Sequence, residues 1–117
     1  MAKPNDLLDR TFNFGADSLK LLRNLPQSFE YKMISFQLAK SSTSVGANYE
    51  EAQAGSSKAD FKNKVKISLK EARESNYWLR VLKALESSEN IELNRLLAES
   101  IEIKNILGAI VKNTNLD

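Results

Sequence analysis

Hydrophobic residues recur along this chain at the three- and four-residue spacing of amphipathic helices, and no stretch alternates as a strand would. Pro26 ends the first helical segment, because the residue before a proline avoids the helical region. The predicted helices cover about residues 5–25, 28–54, 58–86 and 91–112. Because short turns connect these helices, the pattern predicts one all-α domain, an antiparallel up-down-up-down four-helix bundle.

The third helix has two sides of different character. Ser57 is a predicted N-cap, with Asp60 at the third helical position. Phe61, Val65, Ala72, Leu79 and Leu82 share one side. The opposite arc of about 140° carries basic residues and no acid. This basic arc consists of Lys58, Lys62, Lys66, Lys70, Arg73, Arg80 and Lys83, and Tyr77 lies within it.

The second and fourth helices differ in how their apolar residues are distributed. Residues 42–54 of the second helix are mostly small, and Gly46 lies among them. Small residues at helical spacing let another helix approach closely, so we expect tight helix packing here. The fourth helix carries apolar residues around more of its circumference than one core face requires. This distribution predicts that the fourth helix has a second partner.

Composition narrows the chemistry that this chain can perform. The 117 residues include no His and no Cys, which excludes Ser-His-Asp triads, zinc sites and Glu-x-x-His di-iron sites. We therefore expect no metal, no cofactor and no catalytic residue. No apolar run suits a signal peptide or a membrane span, so a cytoplasmic protein without membrane contact is expected.

The charge of the chain is concentrated in the third helix. The net charge is only +2, yet residues 58–86 contain eight Lys and Arg against four Asp and Glu. Charge placement matters more to a polyanionic partner than net charge does. The third helix is therefore the part of the chain best suited to bind a polyanion.

Residues 38–82 carry a distinctive motif, LAKSSTSVGANYEEAQAGSSKADFKNKVKISLKEARESNYWLRVL. This motif, with the Leu25-Pro26 break before it, resembles the small bacterial 23S rRNA intervening-sequence proteins. The resemblance covers nearly the whole chain and implies a four-helix bundle with no associated enzymatic activity. Many members are encoded inside inserts of large-subunit ribosomal RNA genes.

The resemblance also suggests partners. The family is similar to the accessory variability determinant of diversity-generating retroelements, whose relatives are pentameric helical bundles. That protein binds nucleic acid and a reverse transcriptase. The resemblance therefore implies a homo-oligomer, as a pentamer, with RNA or DNA and a protein such as a reverse transcriptase as further partners.

Two functions of the basic arc remain open from sequence. Its cations can neutralise phosphates of RNA or DNA without reading bases, and Tyr77 can stack on a base. Alternatively, the arc is a solvated surface that keeps the protein soluble, and the chain is a protein–protein scaffold. An enzyme is a third reading, and it would have to use carboxylate, Lys or Tyr groups.

The remaining candidate residues favour structural roles. Glu50, Glu51, Glu71 and Glu74 could resemble a carboxylate site, but with Arg73 nearby we expect ion pairs between the second and third helices or between subunits. Trp78 is expected to anchor a core or an interface. The predicted structural or interface residues are Val45, Gly46, Asn48, Tyr49, Glu50, Glu51, Glu71, Glu74 and Trp78.

Overall fold

The computed structural model of the protein describes residues 6–115, which form four helices joined by short turns. The helices are α1 (Asp6–Leu22), α2 (Phe29–Gln53), α3 (Lys58–Leu85) and α4 (Ile91–Asn113). This architecture confirms the predicted all-α four-helix bundle. The predicted start of the first helix at residue 5 lies outside the described residues.

Each helix packs against its neighbours in the sequence, and α4 closes the bundle against α1. The α2–α3 pair makes the most extensive contact, whereas the α1–α4 pair is the sparsest. Within residues 6–115 the two diagonal pairs, α1 with α3 and α2 with α4, do not approach each other closely. One side of each helix therefore remains on the outside of the bundle.

The first helix is shorter than predicted. It ends at Leu22, where the pattern predicted about residue 25. The N–H groups of Asn24 and Leu25 donate to the carbonyls three residues earlier, at 3.2 and 3.4 Å. Such bonds tighten a helix end, and Pro26 prevents the helix from continuing. Leu25 nevertheless stays buried, so the turn contributes to the core.

Side-chain caps fix the starts of α3 and α4. The Ser57 hydroxyl accepts a hydrogen bond from the Asp60 N–H at 3.1 Å, as the sequence predicted. At the start of α4, the Asn90 side chain accepts from the Leu93 N–H at 3.0 Å. Each cap satisfies one of the backbone donors that a helix start leaves unpaired.

The core mixes large apolar residues with small polar ones. Leu38, Leu79, Leu96 and other apolar side chains are fully buried. Buried polar groups also lie in the interior, and most of them pair between helices. The Ser41 and Ser75 hydroxyls are 3.0 Å apart, the Ser68 hydroxyl donates to the Val45 carbonyl at 2.7 Å, and the Asn76 amide donates to the Ser100 hydroxyl at 2.9 Å.

Two further buried hydroxyls, those of Ser18 and Ser42, have no hydrogen-bond partner within the described residues. Unpaired buried polar groups cost stability, so the core is not optimised for stability alone.

Candidate nucleic-acid interface

A straight row of exposed side chains runs along the outer side of α3. Successive members are four, three, four and three residues apart, a spacing that keeps side chains on one line of a helix. We call this row the basic stripe. It consists of Lys66, Lys70, Arg73, Tyr77 and Arg80, and every member is exposed.

The structure divides the predicted basic arc into two groups. Lys62 and Lys83 lie on the side of α3 that faces α4. The Lys62 ammonium donates to the Thr114 carbonyl at 3.4 Å, whereas the Lys83 ammonium contacts the side chains of Glu89 and Asn94 at 3.3 and 2.6 Å. Lys62 therefore connects α3 with the C-terminal end of α4, and Lys83 connects it with the start of α4 and the turn before that helix.

Lys58 is exposed at the first position of α3, two turns before the stripe begins. Lys58 and the cations of the basic stripe are thus exposed and form no intramolecular ion pair among the described residues, and only the stripe forms a continuous row.

Arg80, the last residue of the basic stripe, is positioned by a hydrogen bond to a buried side chain. The Arg80 Nε donates to the Asn76 Oδ1 at 3.0 Å, and the Asn76 amide donates to Ser100 of α4 at 2.9 Å. Asn76 is only 7% exposed. The Arg80 guanidinium lies over the ring of Tyr77, 5.6 Å from the ring centroid. A buried amide therefore positions an exposed cation over an exposed aromatic ring.

Trp78 supports the same ring from the side. The Tyr77 and Trp78 rings are 5.0 Å apart at 79°, an edge-to-face arrangement. The Trp78 Nε1 donates to the Glu74 carboxylate at 3.3 Å. Trp78 is half-buried against the core, so it anchors the exposed Tyr77 from within the bundle.

Two carboxylates of α3 lie beside the basic stripe, since Glu74 is one helical turn after Lys70. Glu71 and Glu74 are partly buried, and burial together with the neighbouring Glu74 raises the pKa of the Glu71 carboxyl. Lys70 and Lys40 partly offset this effect. Neither carboxylate forms an ion pair with a cation of the stripe within the described residues.

The expected ion pairs between α2 and α3 are not found within the described part of the chain. Glu50 and Glu51 are exposed on α2, and Arg73 points to solvent with the basic stripe. Arg73 and Glu74 are adjacent in sequence, so they diverge by about 100° around the helix. Within the described residues these side chains form no ion pair with one another. Pairing between subunits remains a prediction.

Two arginines instead form ion pairs between α1 and α4. The Arg10 guanidinium contacts Glu99 at 2.6 Å and Glu102 at 3.0 Å. Hydrogen bonding to Glu99 raises the pKa of Arg10 above its ordinary value. Arg95 contacts Asp17 at 2.8 Å and also pairs with Glu92. This side of the bundle is therefore neutralised internally, unlike the basic stripe.

The small residues of α2 form the contact with α1. A Cβ atom added at Gly46 would lie 3.1 Å from the backbone of Thr11, and one at Gly15 would lie 3.2 Å from the Ser42 carbonyl. Val45 and Tyr49 are buried nearby. The Asn48 amide donates within its own helix, to the Ser44 carbonyl at 2.9 Å.

Exposed apolar side chains on α1 and α2 form a set that the helical pattern did not predict. We call it the apolar face. It consists of Phe12, Leu19, Phe29, Met33 and Phe36. The three phenylalanines are the most exposed: Phe12 is 66% exposed, Phe29 is 84% exposed and Phe36 is 67% exposed. A cleft of about 400 Å³ between α1 and α2 adjoins it, with Phe12 and Leu19 among its lining residues and Glu50 at its edge.

The fourth helix is less apolar on its outer side than expected. Ile91 is 82% exposed and Ile101 is 45% exposed, but other apolar residues of α4 pack against the core. A signal for the apolar face was present in α2, where Phe29 and Phe36 are seven residues apart, out of phase with the buried Ile34 and Leu38. Two apolar sets on one helix indicate two buried faces.

The described residues offer no obvious site for a metal and no membrane span. Between residues 6 and 115, no group of three or more acidic side chains is arranged to hold a metal ion. None of the helices in this range is long and apolar enough to cross a bilayer.

Comparisons with known proteins agree with the fold. The family described as 23S rRNA-intervening sequence protein matches residues 3–109. A crystal structure of a protein with unknown function from the S23 ribosomal protein family of Bacteroides thetaiotaomicron VPI-5482 is 34% identical, with a TM-score of 0.81. The match covers 92% of this chain and 99% of that chain. No curated protein matches this chain. The chain therefore belongs to the family of 23S rRNA-intervening sequence proteins.

Proposed function

We propose that this protein is a non-enzymatic, cytoplasmic, oligomeric bundle that binds RNA or DNA through the basic stripe of α3, as part of a ribonucleoprotein. One observation carries the proposal. Four cations and an exposed tyrosine lie on one line of α3, and no described carboxylate pairs with the cations. A row of this kind suits the phosphates of a nucleic-acid backbone.

The chemistry of the stripe favours binding without sequence preference. Lys66, Lys70 and Arg73 are exposed side chains that contact phosphates in solution and release counterions. Backbone contacts of this kind position a ligand and carry no sequence information. We therefore expect similar affinities for unrelated sequences and a steep dependence of affinity on salt.

The test is a fluorescence-anisotropy titration at two salt concentrations with structured RNA, single-stranded RNA and duplex DNA. The variant Lys66→Gln, Lys70→Gln, Arg73→Gln removes three cations of the stripe, and all three side chains are exposed, so folding should persist. We expect weaker binding to all ligands. For duplex DNA, the slope of log affinity against log salt should become shallower by about 2.7, because each phosphate that a cation neutralises contributes about 0.9 to the slope.

A control variant with the same change in net charge uses exposed lysines on the other helices. Lys20→Gln, Lys32→Gln, Lys112→Gln alters α1, α2 and α4. We expect this control to retain most of the affinity and the salt slope. Equal effects of the two triple variants, or no binding by the wild type, would contradict the proposal.

Self-association is a further part of the proposal. The rings of Phe12, Phe29 and Phe36 together expose roughly 400 Å², at about 150–250 Å² for a whole aromatic side chain. The largest apolar patch on a typical monomer is about 300–600 Å², and such a patch is often functional. A second copy of the chain would remove these rings from water, in accordance with the ring of five that the family resemblance implies.

The apolar face also favours a second candidate function, a scaffold that docks a different protein such as a reverse transcriptase. In that case the basic stripe is a solvated surface and the Phe side chains provide the affinity. Hydrophobic binding persists at high salt, whereas phosphate binding declines. Capture of a protein partner at high salt, with no nucleic-acid binding at low salt, would favour the scaffold.

A further inference from the structure

We propose that Tyr77 and Arg80 form a stacking site for an unpaired base, so that the ligand of the basic stripe is single-stranded nucleic acid. This inference rests on the proposed function, because it uses the same stripe for the phosphates. It adds a ligand class, single strands in preference to duplex, and a site for the base.

The stacking site is preformed in the free protein. Tyr77 is 50% exposed, and its ring is supported edge-to-face by Trp78 at 5.0 Å. Arg80 lies 5.6 Å from the Tyr77 ring centroid and adds positive charge to the same surface. Because the aromatic ring and the planar guanidinium are already close together, a base can stack on the exposed ring and contact the cation beside it.

The position of Arg80 is set from inside the bundle. Its Nε donates to Asn76, whose own amide reaches Ser100 on α4. An exposed arginine normally loses side-chain entropy when a ligand orders it. Here a buried amide has already restricted the side chain, so binding orders it less. Asn76 is neutral, so Arg80 keeps its full charge for the ligand.

The geometry of the stripe suits an extended strand. Lys66 and Arg80 are 14 residues apart, or roughly 21 Å along the helix axis at 1.5 Å per residue. Arg73 is one turn before Tyr77, and Lys70 is two turns before it. A strand can therefore place its phosphates along the lysines while one base reaches Tyr77. In a duplex, the bases already stack on each other and none is free for this ring.

The experiment compares three ligands with the same number of phosphates. They are a seven-nucleotide oligouridylate or oligodeoxythymidylate, the same oligomers without bases, and a DNA duplex of four base pairs cross-linked to keep it paired. We expect the base-containing single strands to bind most tightly. Comparable binding of the RNA and DNA strands is expected, since stacking requires only a base.

Tyr77→Ala tests the stacking site directly. We expect roughly tenfold weaker binding of the base-containing strands, because base–aromatic stacking contributes about that much affinity. The oligomer without bases should bind Tyr77→Ala and wild type alike. Tyr77→Phe keeps the ring and should recover most of the affinity. Ile91→Ala, which shortens an exposed side chain on α4, is the matched control.

A second readout comes from Trp78, the single tryptophan of the chain. A base stacked beside Tyr77 should quench the fluorescence of Trp78, and the oligomer without bases should not. If the lysine and arginine triple variant loses binding but Tyr77→Ala and the removal of bases change nothing, the stacking site is refuted and the proposed function stands. If no single strand or duplex binds the wild type, both proposals fail.

Discussion

At the scale of single residues, two helical glycines have opposite surroundings. A Cβ atom at Gly46 would meet the carbonyl carbon and oxygen of Thr11 at 3.1 Å. A Cβ atom at Gly108 of α4 would meet nothing within 4 Å. Both residues lie inside helices, where alanine is favoured over glycine by about 1 kcal/mol. Alanine substitutions at these two glycines therefore distinguish the effect of helix propensity on stability from the effect of helix packing.

We expect Gly46→Ala to lower the free energy of unfolding by about 1 kcal/mol, since overpacking of about 1–3 kcal/mol outweighs the gain in propensity. Gly108→Ala should raise it by up to about 1 kcal/mol. Urea denaturation of both variants measures the difference. A stabilised Gly46→Ala variant would mean that α1 and α2 can separate slightly at no cost in stability.

At the scale of the helix, Glu71 makes α3 sensitive to pH. Burial and the neighbouring Glu74 raise the pKa of Glu71 in the folded state above its ordinary value. The charged carboxylate is thus disfavoured by folding. This destabilisation is fully present above the folded pKa and disappears as pH falls below the unfolded pKa.

We therefore expect Glu71→Gln to stabilise the protein at pH 7, by about 0.5 kcal/mol. The advantage should vanish near pH 3, where the wild-type carboxyl is protonated. Thermal unfolding of both proteins from pH 3 to pH 7 measures this difference. Glu50→Gln is the control, because Glu50 is exposed on α2. An advantage of Glu71→Gln that grows as the pH falls would contradict the assignment.

The four helices and the basic stripe of α3 could be predicted from the periodicity of the sequence, because a helix of 3.6 residues per turn fixes the direction of each side chain around its axis. The Ser57 cap and the positions of Lys66, Lys70 and Arg73 were predicted from residue type and spacing along a single helix, without knowledge of its neighbours. Periodicity alone did not reveal the contacts of Lys62 and Lys83, because these depend on where the two ends of α4 lie. It also missed the Arg80–Asn76–Ser100 network, since a buried asparagine is recognised only when its partner helix is in place.

At the scale of the whole molecule, charge and apolar surface are divided among different sides of the bundle. The α1–α4 side pairs its charges internally, through Arg10 and Arg95. The outer side of α3 is basic, whereas α1 and α2 share the apolar face. Because the stripe and the apolar face lie on different helices, self-association and nucleic-acid binding need not compete for the same residues.

The apolar face leads to the last prediction. The variant Phe12→Gln, Phe36→Gln should reduce self-association, because it replaces two exposed rings with polar side chains that helices tolerate well. Light scattering after size exclusion should give a mass several times 13.2 kDa for the wild type and close to 13.2 kDa for the variant. The melting temperature of dilute protein should change little, since neither ring is buried in the single chain.

Ile91→Gln is the matched control for self-association. Ile91 is 82% exposed but lies at the start of α4, outside the apolar face. We expect this variant to keep the wild-type mass. If instead Ile91→Gln dissociates the oligomer and the Phe variant does not, the contact between copies runs through α4. The apolar face would then be free for a different protein, and the same Phe variant should abolish capture of that protein at high salt.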